Sequence, residues 1–395
     1  MVSGRLTEKN GYFYIVLSYK GADGKRVQKW QGTGLPVKGN KKKADELLRQ
    51  ARRSFTPPEA PRSSELRPDM LFSDYMLYWL KVVQSSVELT TLCAYTRNIK
   101  KHIVPYFEPT GITLEGLKAR HIQSFYIHEL ETLKAASVIK EHVNLHKALK
   151  YAVKLDLIPG NPVDKVERPK QQKYMASFYT AQEMEELFQA ARGHRLELII
   201  QFAAFYGLRR SEVLGLRWEA IDFEAGTFTI RHIVTRTSVD GKSVLVQADR
   251  AKTNSSLRTL PLVAEFAQKL KDLKEQQVYN EKLCGNCYNH KFKGYLFVDE
   301  MGNLIQPDYI TQGFSRLLKD HGLRHIRFHD LRHSCASLLL KQGVPMKQIQ
   351  EWLGHSDIST TANIYAHLDS QSKQISAAAM LKALPLPQEK PEKKW

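Results

Sequence analysis

Six residues in the second half of the chain have the types needed for chemistry on a phosphodiester. Tyr206-Gly207-Leu208-Arg209-Arg210-Ser211-Glu212 supplies an arginine, and Ala251-Lys252-Thr253 a lysine. His329-Asp330-Leu331-Arg332 adds an imidazole and a second arginine. Leu353-Gly354-His355 gives a second imidazole, and Tyr365 a phenol. The arginine fork matches phosphate oxygens in a bidentate way. A phenol becomes a usable nucleophile when a cationic pocket stabilises its anion. The set therefore suits attack on a phosphodiester without a metal. Arg209 and Arg210 adjoin, and the pattern alone leaves open which of them holds phosphate. Glu212, one helical turn on, is placed to orient Arg209 rather than to react.

These residues need elements to hold them. Asn10-Gly11 and Asp23-Gly24 are hairpin signals. They separate strands at about Ser3–Thr7, Tyr12–Tyr19 and Lys25–Gln31, followed by a helix over about Lys41–Arg53. Alternation puts Phe13, Ile15 and Leu17 against that helix, and Tyr14, Val16 and Ser18 outward. Residues 1–55 carry 13 Lys/Arg against 4 Asp/Glu, half of the chain's net charge of +18. Such an excess repels itself unless a polyanion shares the surface, so nucleic acid is the leading partner. A proline-rich linker follows, and then apolar residues at helical spacing (Phe72, Tyr75, Met76, Trp79, Leu80; Leu145, Leu149, Ala152) predict a helical module. Thr180-Ala181-Gln182-Glu183 is a capping box that opens the last module. There, helices alternate with a short meander from Phe223 to Leu260, and Lys252 sits on the turn before its last strand.

Arg209, Lys252, His329, Arg332, His355 and Tyr365, in this order, resemble the active-site set of the tyrosine recombinase (phage integrase) family. Only Tyr365, of 17 tyrosines, follows the Leu-Gly-His and Ser-Thr-Thr runs at the family's distance. Tyr295 and Tyr309 do not. The resemblance implies a multidomain fold: an arm-type DNA-binding domain of three strands plus a helix (1–55), a linker (56–68) and an all-α core-binding domain (69–165). A second linker (166–178) leads to a mixed, mainly α catalytic domain with a small antiparallel sheet (179–383). A disordered tail (384–395) ends the chain. It implies cleavage of double-stranded DNA by Tyr365 through a 3′-phosphotyrosyl intermediate. Arg209 and Arg332 would hold the phosphate oxygens, Lys252 would act as general acid, His329 would accept the phenolic proton and His355 would bond a phosphate oxygen. It also implies a homotetramer on core attachment sites and arm sites, with accessory excision or DNA-bending proteins as further partners. In the arm sheet, Arg5, Tyr14, Lys25, Lys29 and Gln31 are candidate DNA contacts, with Arg210 a backbone contact in the catalytic module. Trp352 occupies a position that packs near the phosphate in relatives, though core packing would explain it as well. His333 reads as a helix-packing residue.

No cofactor is expected, because bond energy is conserved through the covalent intermediate. Cys284-x-x-Cys287-x-x-His290 has ligand chemistry but is one ligand short of a structural zinc site, so no metal is assigned to it. Four scattered cysteines suit a reducing compartment. The chain has neither a signal-like apolar start nor a membrane-length apolar run, which together point to the bacterial cytoplasm. Two other classes compete with an element integrase. A regulator that has lost chemistry would not need the full set. A type IB topoisomerase would not need the arm.

Overall fold

Asn10 and Gly11 both have positive φ, 52° and 77°, as a two-residue type I′ turn requires. They join β1 (Ser3–Lys9) to β2 (Tyr12–Lys20), and β3 (Arg26–Pro36) completes an antiparallel sheet of order β1-β2-β3. Helix α1 (Lys41–Ser54) covers one face. A Cβ on Gly4 would lie 3.0 Å from the side chains of both Leu48 and Arg52. Phe13, Ile15 and Leu17 are buried as alternation predicts, but Val16, expected to face outward, is fully buried too. It lies on the middle strand opposite both Arg5 and Trp30, so side chains from the flanking strands can cover it.

The chain's structure is a computed structural model. It describes residues 3–20, 26–55, 66–170, 177–239, 241–249 and 257–354, with positions 380 and 383. Lys25, Lys252, His355, Tyr365 and the tail after 384 lie outside the described residues, as do positions 56–65 and 171–176 of the two linkers.

Residues 66–170 build a helical core. Phe72, Tyr75, Met76 and Trp79 of α2 (Phe72–Val83) meet Leu145, Leu149 and Ala152 of α6 (Ala135–Lys154). Between them come α3 (Leu89–Asn98), α4 (Val104–Phe107) and α5 (Ala119–Leu130). A π-helical turn, Ile99–Ile103, joins α3 to α4. Nothing in the apolar spacing announces it.

The last module opens as its capping box requires. Thr180 Oγ1 accepts from Glu183 N at 3.2 Å, and Glu183 Oε2 from Thr180 N at 2.8 Å. Helices α7 (Ala181–Ala191), α8 (Glu197–Tyr206) and α9 (Arg210–Leu214) follow. The expected single meander is two separate sheets. One has the order β4-β5-β8, from β4 (Ile221–Asp222), β5 (Thr227–Ile230) and β8 (Arg258–Pro261). The other is the hairpin of β6 (His232–Val239) and β7 (Lys242–Asp249). Because β8 pairs with β5 rather than β7, the hairpin forms a ladder of its own. Helices α10 (Ala264–Cys284), α11 (Pro307–Asp320), α12 (Asp330–Lys341) and α13 (Met346–Leu353) close the module. Among the described residues no helix is long and apolar enough to cross a membrane.

The hairpin's base presses on the end of α9. A Cβ on Gly215 would stand 2.2 Å from the His232 carbonyl oxygen, a backbone atom that cannot swing away. Gly215→Ala should therefore lower stability by about 1–3 kcal/mol through overpacking, read as a shift of the urea midpoint. An unchanged midpoint would mean that the two segments are not in this contact.

Candidate active site

Helix α8 stops at Gly207, whose φ of 63° is left-handed. The chain restarts as α9 with Arg209 at the N-cap, which places Glu212 at the third helical position. Its carboxylate reaches back, accepting from Arg209 N at 2.9 Å and from Arg209 Nη1 at 2.6 Å. Glu212 is completely buried. Two further guanidiniums come from distant segments. Arg258 Nη2, from the start of β8, donates to Glu212 Oε2 at 3.0 Å. Arg332 Nη1, from α12, lies 3.9 Å from the same oxygen.

The arginines also bind backbone carbonyls. Arg332 donates to Gly207 O at 2.7 Å and to Leu353 O at 2.6 Å. Arg258 Nε donates to Trp352 O at 3.0 Å, and Arg209 Nη2 to Gly354 O at 3.4 Å. The end of α13, immediately ahead of His355, is thus held by all three. Burial by itself would raise the Glu212 pKa, but Arg258, then Arg209 and Arg332, overcome it and hold the carboxyl at about 2. Burial lowers Arg332 to about 9, so it remains a cation at neutral pH. Three guanidiniums around one carboxylate leave a net positive centre. Arg209, with 29% of its side chain exposed, reaches solvent, whereas Arg332 at 2% does not.

His329 precedes α12. The residue as a whole is exposed, yet burial of the imidazole lowers its pKa, helped by His333, Arg332 and Arg209, to about 4. The imidazole is therefore neutral at pH 7. His333, read as a packing residue, meets His329 edge-on at 5.3 Å. Asp330 fixes the start of α12 by accepting from Arg327 N at 2.8 Å and from its guanidinium at 2.7 Å.

Other sequence candidates fall in different places. Arg210 turns away from the cluster, donating to Pro307 O at 3.2 Å and to the Thr311 hydroxyl. This leaves Arg209 as the member of the pair that faces the site. Trp352 stacks on Tyr206 at 5.9 Å, in core packing. Tyr295 is enclosed, bonded to His232, Arg217 and Gln247. Cys284 donates to Glu300 O, and His290 pairs with Glu281, so the two turn to different partners. In the arm sheet, Lys29 and Gln31 pair with Leu17 and Ile15 and so share the α1 face, where both remain exposed. The β2–β3 register decides this, and strand alternation alone does not give it. Arg5 and Tyr14 lie on the opposite face, together with Gln28 and Trp30, the indole half exposed. A cleft of about 620 Å³ between α3 and the β6–β7 hairpin is lined by Arg97, Lys100, Lys101 and Arg236, with no acidic residue among the described lining. It suits a polyanion.

Arg258 is the site residue that sequence reasoning missed. Its signal was available: Arg258 and Leu260 alternate inward on β8, and an inward-facing cation needs a buried anion.

Two outcomes follow from these charges. Glu212→Gln should destabilise the protein by about 3–5 kcal/mol, since it leaves buried guanidiniums without their counter-charge. In the parent, the Glu212 contribution is complete above the ordinary carboxyl pKa of 4.5 and lost as pH falls through about 2, because the folded state holds the proton more weakly. Acid denaturation of both proteins would check this, and coincident curves would contradict it. Second, the His329 ring in protein without DNA should titrate near pH 4 by NMR. A midpoint near 6.5 would show that the ring is not in this environment.

Comparison with known proteins agrees with this geometry. The model of the "Phage integrase family" matches residues 177–372, and that of the "Phage integrase, N-terminal SAM-like domain" matches 71–130. A "Tyrosine recombinase XerC-like" protein of Caldanaerobacter subterraneus is 30% identical over 324 residues, covering 77% of this chain and 81% of the relative. The "ICEBs1 integrase" of Bacillus subtilis is 28% identical over 376 residues, covering 91% and 94%. Among solved structures, the Tn1549 transposon integrase in complex with a circular intermediate DNA superposes with a TM-score of 0.65 at 18% identity, over 79% of this chain and 99% of that one. A lambda integrase dimer bound to a core site matches 98% of this chain and 97% of its own with a TM-score of 0.52 at 19% identity. By sequence and by fold, the chain belongs to the phage integrase family of tyrosine recombinases, enzymes that transfer DNA strands.

Proposed function

We propose that this recombinase cuts and rejoins double-stranded DNA through a covalent 3′-phosphotyrosyl linkage on Tyr365, and that it integrates and excises a mobile element. The observation that carries the reading is the arginine cluster on Glu212, which gathers two of the family's cationic positions, Arg209 and Arg332, from segments over a hundred residues apart. The Tyr365 oxygen attacks the scissile phosphorus and the bond to the 5′-oxygen breaks. The phenolic proton passes to neutral His329, and Lys252 protonates the leaving 5′-hydroxyl. Arg209 and Arg332 stabilise the charge that builds on the non-bridging oxygens, each such donor supplying a few kcal/mol. Arg332 is enclosed here, so its direct share requires the Leu353 carbonyl to give way when DNA binds. His355 bonds a phosphate oxygen. A 5′-hydroxyl from the same or another duplex reverses the step, and no nucleotide cofactor is consumed.

The mobile-element role is supported by the ICEBs1 integrase match. Its 91% coverage takes in more of this chain than the helical and catalytic modules alone. The basic sheet would read arm sites through Arg5 and Tyr14 with Gln28 and Trp30 on the same face, or through the exposed Lys29 and Gln31 on the other. Core sites would lie against the cationic cleft and the arginine cluster, with four copies assembling on two duplexes in the bacterial cytoplasm. Excision or DNA-bending proteins are expected accessories.

Tyr365→Phe should bind an attachment-site duplex as the parent does and yield no covalent adduct on a denaturing gel. An adduct of undiminished yield would refute the assignment of the nucleophile. Binding should also weaken steeply as salt rises, because phosphate neutralisation releases counterions. A flat salt dependence would count against the basic arm and cleft as DNA contacts.

A further inference from the structure

His102, Glu129 and Glu141 come from three elements of the helical module and meet in its interior. His102 lies in the π-helical turn, Glu129 near the end of α5 and Glu141 in α6. His102 Nδ1 is 2.8 Å from Glu129 Oε2 and 3.7 Å from Glu141 Oε1. One donor atom of each residue lies within 4.8 Å of the others. Glu129 is 6% exposed and Glu141 only 1%. Glu141 Oε2 is buried with no hydrogen-bond partner. Among the described residues no lysine or arginine pairs with either carboxylate.

Two buried carboxylates against one imidazole are expensive. Each buried ion carries a penalty of several kcal/mol unless it is well compensated. Burial, then the neighbouring Glu129, pushes the Glu141 carboxyl up to about 8, so the pair is offset either by a proton or by a metal ion, and the three-sided geometry suits a metal. We propose that His102, Glu129 and Glu141 bind one divalent first-row transition-metal ion, with zinc the best fit, and that this ion ties the π-turn, α5 and α6 together. One imidazole and two carboxylates suit zinc or manganese. Bonds of about 2.0–2.1 Å in a tetrahedral site set donor atoms roughly 3.3 Å apart, between the two separations found here. The His102 side chain is 21% exposed, so water has access to this edge of the cluster and could complete the shell. The π-turn fits this role, since such single-turn insertions in α-helices recur at functional sites. The site belongs to a different module from the Glu212 cluster, so the ion is structural, and the proposed strand transfer does not use it.

Isothermal titration with zinc chloride tests this in full-length protein carrying Cys284→Ser and Cys287→Ser, which removes competing thiolates. One equivalent should bind and raise the thermal midpoint. Adding Glu141→Gln or His102→Gln should weaken binding roughly tenfold or more, because a ligand is lost. Glu141→Gln replaces a buried carboxylate by a neutral isostere, so the fold should survive, checked by circular dichroism. Binding of no zinc, or equal binding by all three proteins, would overturn the proposal and leave a proton shared between the carboxylates as the compensating charge.

Discussion

A carboxylate with no access to water holds this candidate site together. Glu212 alone would be a costly ion to bury, and so would Arg332 and Arg258. Each becomes tolerable only because the others are present, and they come from α9, α12 and β8. Charge compensation thus forces three chain segments to converge, and the backbone carbonyls of Gly207, Trp352, Leu353 and Gly354 accept further guanidinium N–H groups, while Arg258 Nη1 stays buried without a partner. The positive centre that suits a phosphate is what remains once one anion has been shared among three cations. Removing the anion would therefore damage folding and chemistry together.

Close approach of the backbones makes this sharing possible. At Gly207, with φ 63°, a Cβ would sit 2.2 Å from Leu353 Cδ2. At Gly354, with φ 67°, it would sit 2.7 Å from Arg258 Nη1. Both glycines end helices in the left-handed conformation, and both lack the one atom that would push α8, α13 and β8 apart. Burial of Tyr206, Val213, Leu331 and Leu353 around them fixes the spacing of the charged groups to that of a packed core.

Much of this was legible in the sequence wherever the controlling interaction is local. Asn10-Gly11 specifies its own turn, Thr180 and Glu183 specify their cap, and the three-residue spacing of Arg209 and Glu212 specifies their pair. What escaped depends on partners far apart in the chain. Arg258 needed knowledge that β8 pairs with β5 and turns its first side chain inward. Which face Lys29 and Gln31 take is set by the β2–β3 register, and that register is not written in the alternation of either strand. His102, Glu129 and Glu141 are unremarkable in sequence until the π-turn and two helices bring them together.

The same cluster bears on how the proposed reaction is timed. His329 stays neutral because nearby protein and cations oppose its protonation, so it starts as a proton acceptor without needing a base of its own. A phosphate seated on Arg209 would bring negative charge close to that ring and stabilise the imidazolium as the phenolic proton arrives. Arg332 is engaged by the Leu353 carbonyl at 2.6 Å. The guanidinium would therefore have to leave the Leu353 carbonyl before it could hold a phosphate.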